Sequence, residues 1–275
     1  MGRAAPGVAR VIRHWGASRA SGSVGHMGAT GAEITVRCDV DGGIATVTLD
    51  SPANRNALSR ELLRDLDLAL DRAERDDVRV IVLAHAPPVF CAGADLKQRS
   101  EGPADSTPMV RAMQRLADAA QPTIAAVRGP VRAGGIGLMA SCDLVVVQPD
   151  ATFAFTEVRI GVAPAIISVP ILARVPWSKL AAPFLTGETF GAATALDMGL
   201  VTHVSDDVPA TVAALAAGVS AGAPQAVAAT KRLLRGERTW AEMQALSEAL
   251  FTSPEAAEGM RAFAERRTPN WAEGS

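Results

Sequence analysis

A chain of 275 residues, 48% hydrophobic and 20% charged, is long enough to bury a full-sized core and has the composition of a globular protein. Its 27 Lys and Arg against 29 Asp and Glu leave a net charge of −2, which excludes general electrostatic attraction to nucleic acid or anionic lipid. No apolar run reaches the roughly 18 residues of a membrane span, and Cys38, Cys91 and Cys142 lack zinc-site spacing, so they read as small buried thiols of a reducing compartment.

Residues 1–30 carry Arg3, Arg10, Arg13 and Arg19 with no acidic residue. That composition suits a disordered or targeting tail, or a segment ahead of a start at Met27. Residues 34–38 and 44–49 are β-rich and flank Asp41-Gly42-Gly43, which predicts a hairpin. A helix capped by Ser59 follows, with Leu62, Leu66, Ala69, Leu70 and Ala73 on one face and Arg64, Asp67 and Arg72 opposite. Residues 78–84 form a continuous apolar run, the mark of a strand buried on both faces. A helix over 109–120, a strand over 123–127, a short helix over 135–141 and a strand over 144–147 continue the alternation. Strand, crossover helix and strand repeat, so the fold class is α/β with parallel sheet. A helix over 191–198 and a strand over 200–204 follow, and residues 208–267 carry helical patterns broken at Gly222-Ala223-Pro224, Gly236 and Ser253-Pro254. The late helices are apolar on more than one face and call for a partner, which implies an oligomer.

Two glycine loops hold the chemistry. Phe90-Cys91-Ala92-Gly93-Ala94-Asp95-Leu96-Lys97 and Gly129-Pro130-Val131-Arg132-Ala133-Gly134-Gly135-Ile136-Gly137 each follow an apolar strand and lead toward a helix. Small residues there let main-chain N–H groups approach a carbonyl oxygen, and two such donors stabilise a thioester enolate. Glu157 follows Phe153-Ala154-Phe155, an apolar setting that raises a carboxyl pKa and suits proton transfer near neutral pH. Read singly, the glycines are weak evidence and point first to close helix-on-sheet packing, while Glu157 equally serves as a solvated residue at a helix entry.

Taken together, these segments resemble the enoyl-CoA hydratase/isomerase (crotonase) superfamily over about residues 33–270. Asn56-Ala57-Leu58-Ser59 is similar to its early CoA-contacting turn, and the two glycine loops to its oxyanion loops. Phe153-Ala154-Phe155-Thr156-Glu157-Val158-Arg159-Ile160-Gly161 is similar to its catalytic-acid segment; Leu185-Thr186-Gly187-Glu188 and Gly199-Leu200-Val201-Thr202-His203-Val204 fall in family order. The resemblance implies a crotonase-like ββα spiral core over 31–206 and a C-terminal helical trimerisation region over 207–275. It implies an oxyanion hole from the N–H groups of Ala94 and Gly134, with Glu157 as acid/base. Arg55, Ala57, Leu58, Ala92, Asp95, Leu96 and Lys97 would bind the CoA ester, Arg55 as a phosphate contact. No metal or other cofactor is implied, CoA being part of the substrate. The expected partners are an acyl-CoA thioester and further copies of the chain, as a homotrimer or dimer of trimers, without nucleic acid or membrane. The expected location is cytoplasmic, or the mitochondrial matrix if residues 1–30 are a transit peptide.

One position departs from the pattern. Family hydratases carry a second Glu where this chain has Gly137, and glycine cannot orient or deprotonate water. Ala133 stands where glycine is common, and Ala165-Ile166-Ile167-Ser168 replaces a usual glycine pair, so the pocket floor is expected to be remodelled and more apolar. The chain has no tyrosine to substitute for the missing acid. His85 and His203 read as packing or surface residues and Asp143 as structural, while Cys91 and Cys142 lack a visible base. Arg132 and Arg159 are either solvated or binders of a carboxylated acyl group or phosphate. The expected activity is that of a lyase, an enoyl-CoA hydratase of fatty acid metabolism acting on a 2-enoyl or branched enoyl thioester. Members similar to bacterial methylglutaconyl-type hydratases share a glycine at this place, which keeps hydration open. The alternatives are a Δ3-Δ2 enoyl-CoA isomerase using one Glu and a catalytically weak acyl-CoA-binding or RNA-binding scaffold.

Overall fold

The computed structural model describes residues 34–100, 105–236 and 238–272; the basic tail lies outside them. β1 (Val36–Asp41) and β2 (Ile44–Leu49) form the expected antiparallel hairpin, running from Val36↔Leu49 to Asp41↔Ile44. Its two-residue turn places Gly42 and Gly43 at φ of 55° and 75°, a geometry that matches strand twist and is open to glycine without strain. Helix α1 (Arg60–Ala73) is capped by Ser59, whose hydroxyl accepts the Leu62 N–H at 3.1 Å. It buries Leu62, Leu63, Leu66, Ala69, Leu70 and Ala73, each leucine contributing about 1.5–3 kcal/mol.

β3 (Val80–His85), the short α2 (Leu96–Ser100), α3 (Thr107–Asp118), β4 (Thr123–Val127), β5 (Val131–Arg132), α4 (Gly134–Ser141), β6 (Leu144–Val147) and β7 (Thr152–Ala154) follow. A 3-10 turn (Glu157–Ile160) leads to α5 (Ala165–Leu172), α6 (Trp177–Thr186), β8 (Thr189–Gly191), α7 (Ala192–Asp197) and β9 (His203–Val204). Four helices end the chain: α8 (Val208–Ser220), α9 (Pro224–Arg235), α10 (Trp240–Phe251) and α11 (Pro254–Glu265). The main sheet has the order β1-β2-β3-β4-β6-β9, parallel from β2 onward. Alternation along β2 sends Ala45, Val47 and Leu49 to the larger core, beneath α1, and Ile44 to a second core covered by Val208, Val212, Ala213 and Ala216 of α8. Arg115 of α3 bridges Asp67 and Asp71 of α1 and Glu74 at its C-terminal cap at 2.7–3.0 Å and fixes the two helices together.

Some elements differ from expectation. The late strand shrinks from residues 200–204 to His203–Val204, because only these pair with β6. A second sheet, β5-β7-β8, escapes periodicity since no strand in it exceeds three residues. Helices α5 and α6 hold Pro170 and Pro183 in their interiors, which suppresses a helix reading. No single described helix is long and apolar enough to cross a membrane.

Candidate active site

Three strips of backbone lie side by side at the ends of β3 and β4. The Leu58 N–H donates to Gly93 O at 2.8 Å, and the Asp95 N–H reaches Leu58 O at 3.5 Å, making the parallel bridge Leu58↔Ala94. In such a bridge both bonds belong to the flanking residues, so the N–H of Ala94 itself faces the other way. On that other side Arg132 N–H donates to Cys91 O at 3.0 Å and Phe90 N–H to Pro130 O at 3.1 Å. Asn56, fully buried and at φ 52°, pins the assembly. Its Oδ1 accepts the Ser51 N–H at 2.7 Å, and its Nδ2 donates to Val89 O at 2.8 Å and Ala86 O at 3.3 Å.

Ala133 turns the chain from β5 into α4 at φ 46°, ψ −119°, with its N–H on Ala154 O at 3.1 Å. Gly134 then opens the helix, and the point where a Cβ would sit on it is 4.0 Å from Ala94 N and 2.8 Å from Leu58 Cδ1. A side chain here would press on the Leu58 methyl and the Met109 sulfur. The Gly134 backbone thus lies beside Ala94, and the N–H groups of both residues have no acceptor among the described residues. Two unpaired donors, one at a helix N-terminus, form an arrangement that favours an oxyanion.

Glu157 begins the 3-10 turn three residues after Ala154, the residue that pairs with Arg132 across β5 and β7. Phe155, fully buried and edge-on to Phe184 at 4.3 Å, anchors the approach. The Val162 N–H on Glu157 O at 3.1 Å and Arg159 Nε on Thr186 O at 3.2 Å hold the turn. The carboxyl is half-buried; its Oε2 is sealed from solvent with no hydrogen-bond partner, and burial raises its pKa above the ordinary glutamate value. A carboxyl in this condition exchanges a proton more readily near neutrality than a solvated one.

Gly137 lies one turn along α4 from Gly134, on the same face. The place of its missing Cβ is 2.6 Å from Ile167 Cγ2 of α5 and 2.6 Å from Met113 Cε of α3. The expected remodelling is therefore concrete: two buried apolar side chains stand where a second acid would project. Ile167 belongs to the segment the sequence singled out; Met113 was missed, its only signal being its place on the buried face of α3.

The other candidates separate. Ala57 and Leu58 are buried, Ala92 and Asp95 half-buried, and Arg55, Leu96 and Lys97 exposed at the mouth of the strips. Asp95 also accepts the Lys97 and Gln98 N–H groups at 3.0 and 3.3 Å, which caps α2. Arg132 turns away to Val131 O, Thr152 O and Thr152 Oγ1 at 2.9, 2.6 and 3.0 Å. Burial holds His85 near pKa 4, and its Nε2 accepts the Arg128 N–H at 2.9 Å, so it packs rather than titrates. His203 sits half-buried against Thr202 Oγ1 at 2.9 Å. Burial pushes the Cys91 and Cys142 thiols up to about 12, far from nucleophilic use. Asp143 accepts from Thr123 and pairs with Lys231 and Arg235 at 2.9 and 2.7 Å, a structural role. Among the described residues no group of three or more His, Cys, Asp or Glu is placed to hold a metal ion.

Known proteins share this architecture. The family model for enoyl-CoA hydratase/isomerase matches residues 39–274. Enoyl-CoA hydratase EchA19 of Mycobacterium tuberculosis is 35% identical over 243 residues, 82% of this chain and 91% of that protein. The crystal structure of an enoyl-CoA hydratase from Mycobacterium avium is 40% identical with a TM-score of 0.68, covering 87% of this chain and 100% of that one. The enoyl-CoA hydratase of Mycobacterium smegmatis superposes with a TM-score of 0.80 at 30% identity, covering 87% and 99%. With a family match over nearly its whole described length and the same fold in solved relatives, the chain belongs to the enoyl-CoA hydratase/isomerase, or crotonase, family.

Proposed function

We propose that this enzyme hydrates a 2-enoyl-CoA thioester with Glu157 as its one acid/base. The thioester oxygen sits between the N–H groups of Ala94 and Gly134. Glu157, ionised, takes a proton from water as the water oxygen bonds C3, and the C2=C3 electron pair moves into the enolate. The enolate collapses by taking that proton from Glu157 at C2, which restores the carboxylate. Water and thioester are the only reactants, so no cofactor is proposed. The CoA portion runs past Arg55, Ala57, Leu58, Ala92, Asp95, Leu96 and Lys97. The observation that carries this reading is the buried, unpartnered Oε2 of Glu157 in the turn after Ala154, with raised pKa. The hydratase names of the relatives support it further.

The packing of Ile167 and Met113 against Gly137 favours a second reading. A one-carboxylate site beside an apolar wall suits Δ3-Δ2 isomerisation, in which Glu157 removes a C2 proton from a 3-enoyl thioester and returns it at C4 without water. Product analysis with purified enzyme and matched 2-enoyl- and 3-enoyl-CoA esters decides. A 3-hydroxyacyl product from the 2-enoyl ester supports hydration, a 2-enoyl product from the 3-enoyl ester supports isomerisation, and tight binding without turnover supports the scaffold. The self-assembly we propose, a trimer or dimer of trimers, rests on α10, which buries no residue, and on Trp240, Phe251 and Phe263, exposed at 94%, 70% and 87%.

A further inference from the structure

We infer that Met113 and Ile167 form the end wall of the acyl site and restrict it to short, uncharged acyl groups. The inference rests on the acyl-CoA reading above and adds the substrate class. The inner face of α4 begins at Gly134, beside the proposed oxyanion position, and an α-helix rises about 1.5 Å per residue. Gly137 is therefore about 4.5 Å further along, the span of some four carbons of an acyl chain that follows the helix. At that point the chain meets Ile167 and Met113, which are 2% and 5% exposed and crowd the missing Cβ of Gly137 to 2.6 Å. Ile167 is β-branched and stiff, so the wall does not fold aside freely.

The lining is apolar on every side the contacts define. Leu58 Cδ1 and Met109 Sδ lie 2.8 and 3.3 Å from the missing Cβ of Gly134, and Met109 and Met113 are one turn apart on α3. The two arginines the sequence offered for a carboxylated acyl group are engaged elsewhere: the Arg132 guanidinium is spent on Thr152 and Val131 oxygens, and Arg159 lies exposed with its Nε on Thr186 O. A carboxylate at the far end of the acyl group would lose its hydration with nothing to replace it. That is the chemistry of an unbranched or methyl-branched hydrocarbon acyl group of about four or five carbons.

Binding of unreactive saturated esters tests the wall without turnover. Isothermal titration of the full-length enzyme with butanoyl-, pentanoyl-, decanoyl- and glutaryl-CoA should give pentanoyl at least tenfold tighter than glutaryl and butanoyl at least tenfold tighter than decanoyl. Ile167→Ala should shrink the butanoyl-to-decanoyl ratio at least fivefold. Met113→Ala should do the same, and it stands in if Ile167→Ala does not fold by circular dichroism. Equal binding of butanoyl and decanoyl, equal binding of pentanoyl and glutaryl, or an unchanged ratio in the folded variants overturns the wall while leaving the acyl-CoA reading intact. Failure of every ester to bind overturns that reading and the wall with it.

Discussion

At Glu157 one carboxyl oxygen is buried without a partner, and three measurable effects follow. Glu157→Gln keeps the shape and removes the proposed proton-transfer group, so turnover is expected to fall by about 10²–10⁴-fold while butanoyl-CoA binding stays within a few-fold. The folded-state pKa is raised, so the protonated form favours the folded chain, and that contribution is lost as pH rises through the folded pKa. Urea unfolding should therefore show Glu157→Gln gaining stability relative to the parent at pH 8 compared with pH 4. In the proposed hydration Glu157 acts ionised, so the acid limb of kcat/KM is expected above the ordinary glutamate range. Ala133 is the second telling residue. Its φ of 46° is unfavourable for any residue with a Cβ, and its methyl is 3.0 Å from where a Cβ on Gly93 would lie. Ala133→Gly is expected to stabilise the fold by about 1 kcal/mol, seen as a higher urea midpoint, since relief of strain outweighs the added freedom of the unfolded chain. Gly137→Glu, by contrast, has no room beside Ile167 and Met113, and is expected to destabilise unless Ile167 is shortened too.

Among the elements, α4 is the one on which the proposed chemistry turns. Every residue of it is buried, its first N–H belongs to Gly134, and its last carbonyls are held by arginines. Arg174 donates to Ala140 O at 2.8 Å, to Cys142 O, and to Asp143 O at 2.9 Å, and Arg235 donates to Ser141 O at 2.9 Å. Cations at a helix C-terminus complement its dipole and, here, fix its position end to end. Arg174→Gln leaves buried carbonyls unpaired, which costs about 1–3 kcal/mol of stability. Under conditions where it is folded, kcat should fall more than KM rises, because the Gly134 N–H loses its placement; a change in KM alone would contradict this. Such a clamp was not legible in the sequence. The strands 123–127 and 144–147 and the Ser59-capped helix announce themselves, because continuous apolar runs and a helical stripe have periods a reader can count. Asn56 and the glycine loops were visible as motifs, but what Gly137 meets depends on α3 and α5, whose contacts are made across the fold. The small sheet of two- and three-residue strands is set by tertiary pairing and leaves no local trace.

For the molecule as a whole, the late helices divide in role. Helix α8 closes the second face of the main sheet, whereas α10 packs none of its residues out of solvent and presents Trp240 and Phe251. Replacing Trp240 and Phe263 together by Ser is expected to lower the assembly state in sedimentation velocity, with circular dichroism unchanged; an unaltered sedimentation coefficient would dismiss these residues as the contact. The late segments are also tied back to the main sheet. Arg79, just ahead of β3, donates to Gly222 O at 2.5 Å and to Trp271 O at 3.1 Å, and the Trp271 indole donates to Ala221 O at 3.2 Å. Lys231 reaches back to Gln121 O at 2.9 Å. During synthesis, then, the sheet strands emerge long before the helices that cover and lock them. A nascent chain halted near residue 206 would carry Val80, Val82, Ile124 and Val146 uncovered, and it is this half-made species that would call on chaperones.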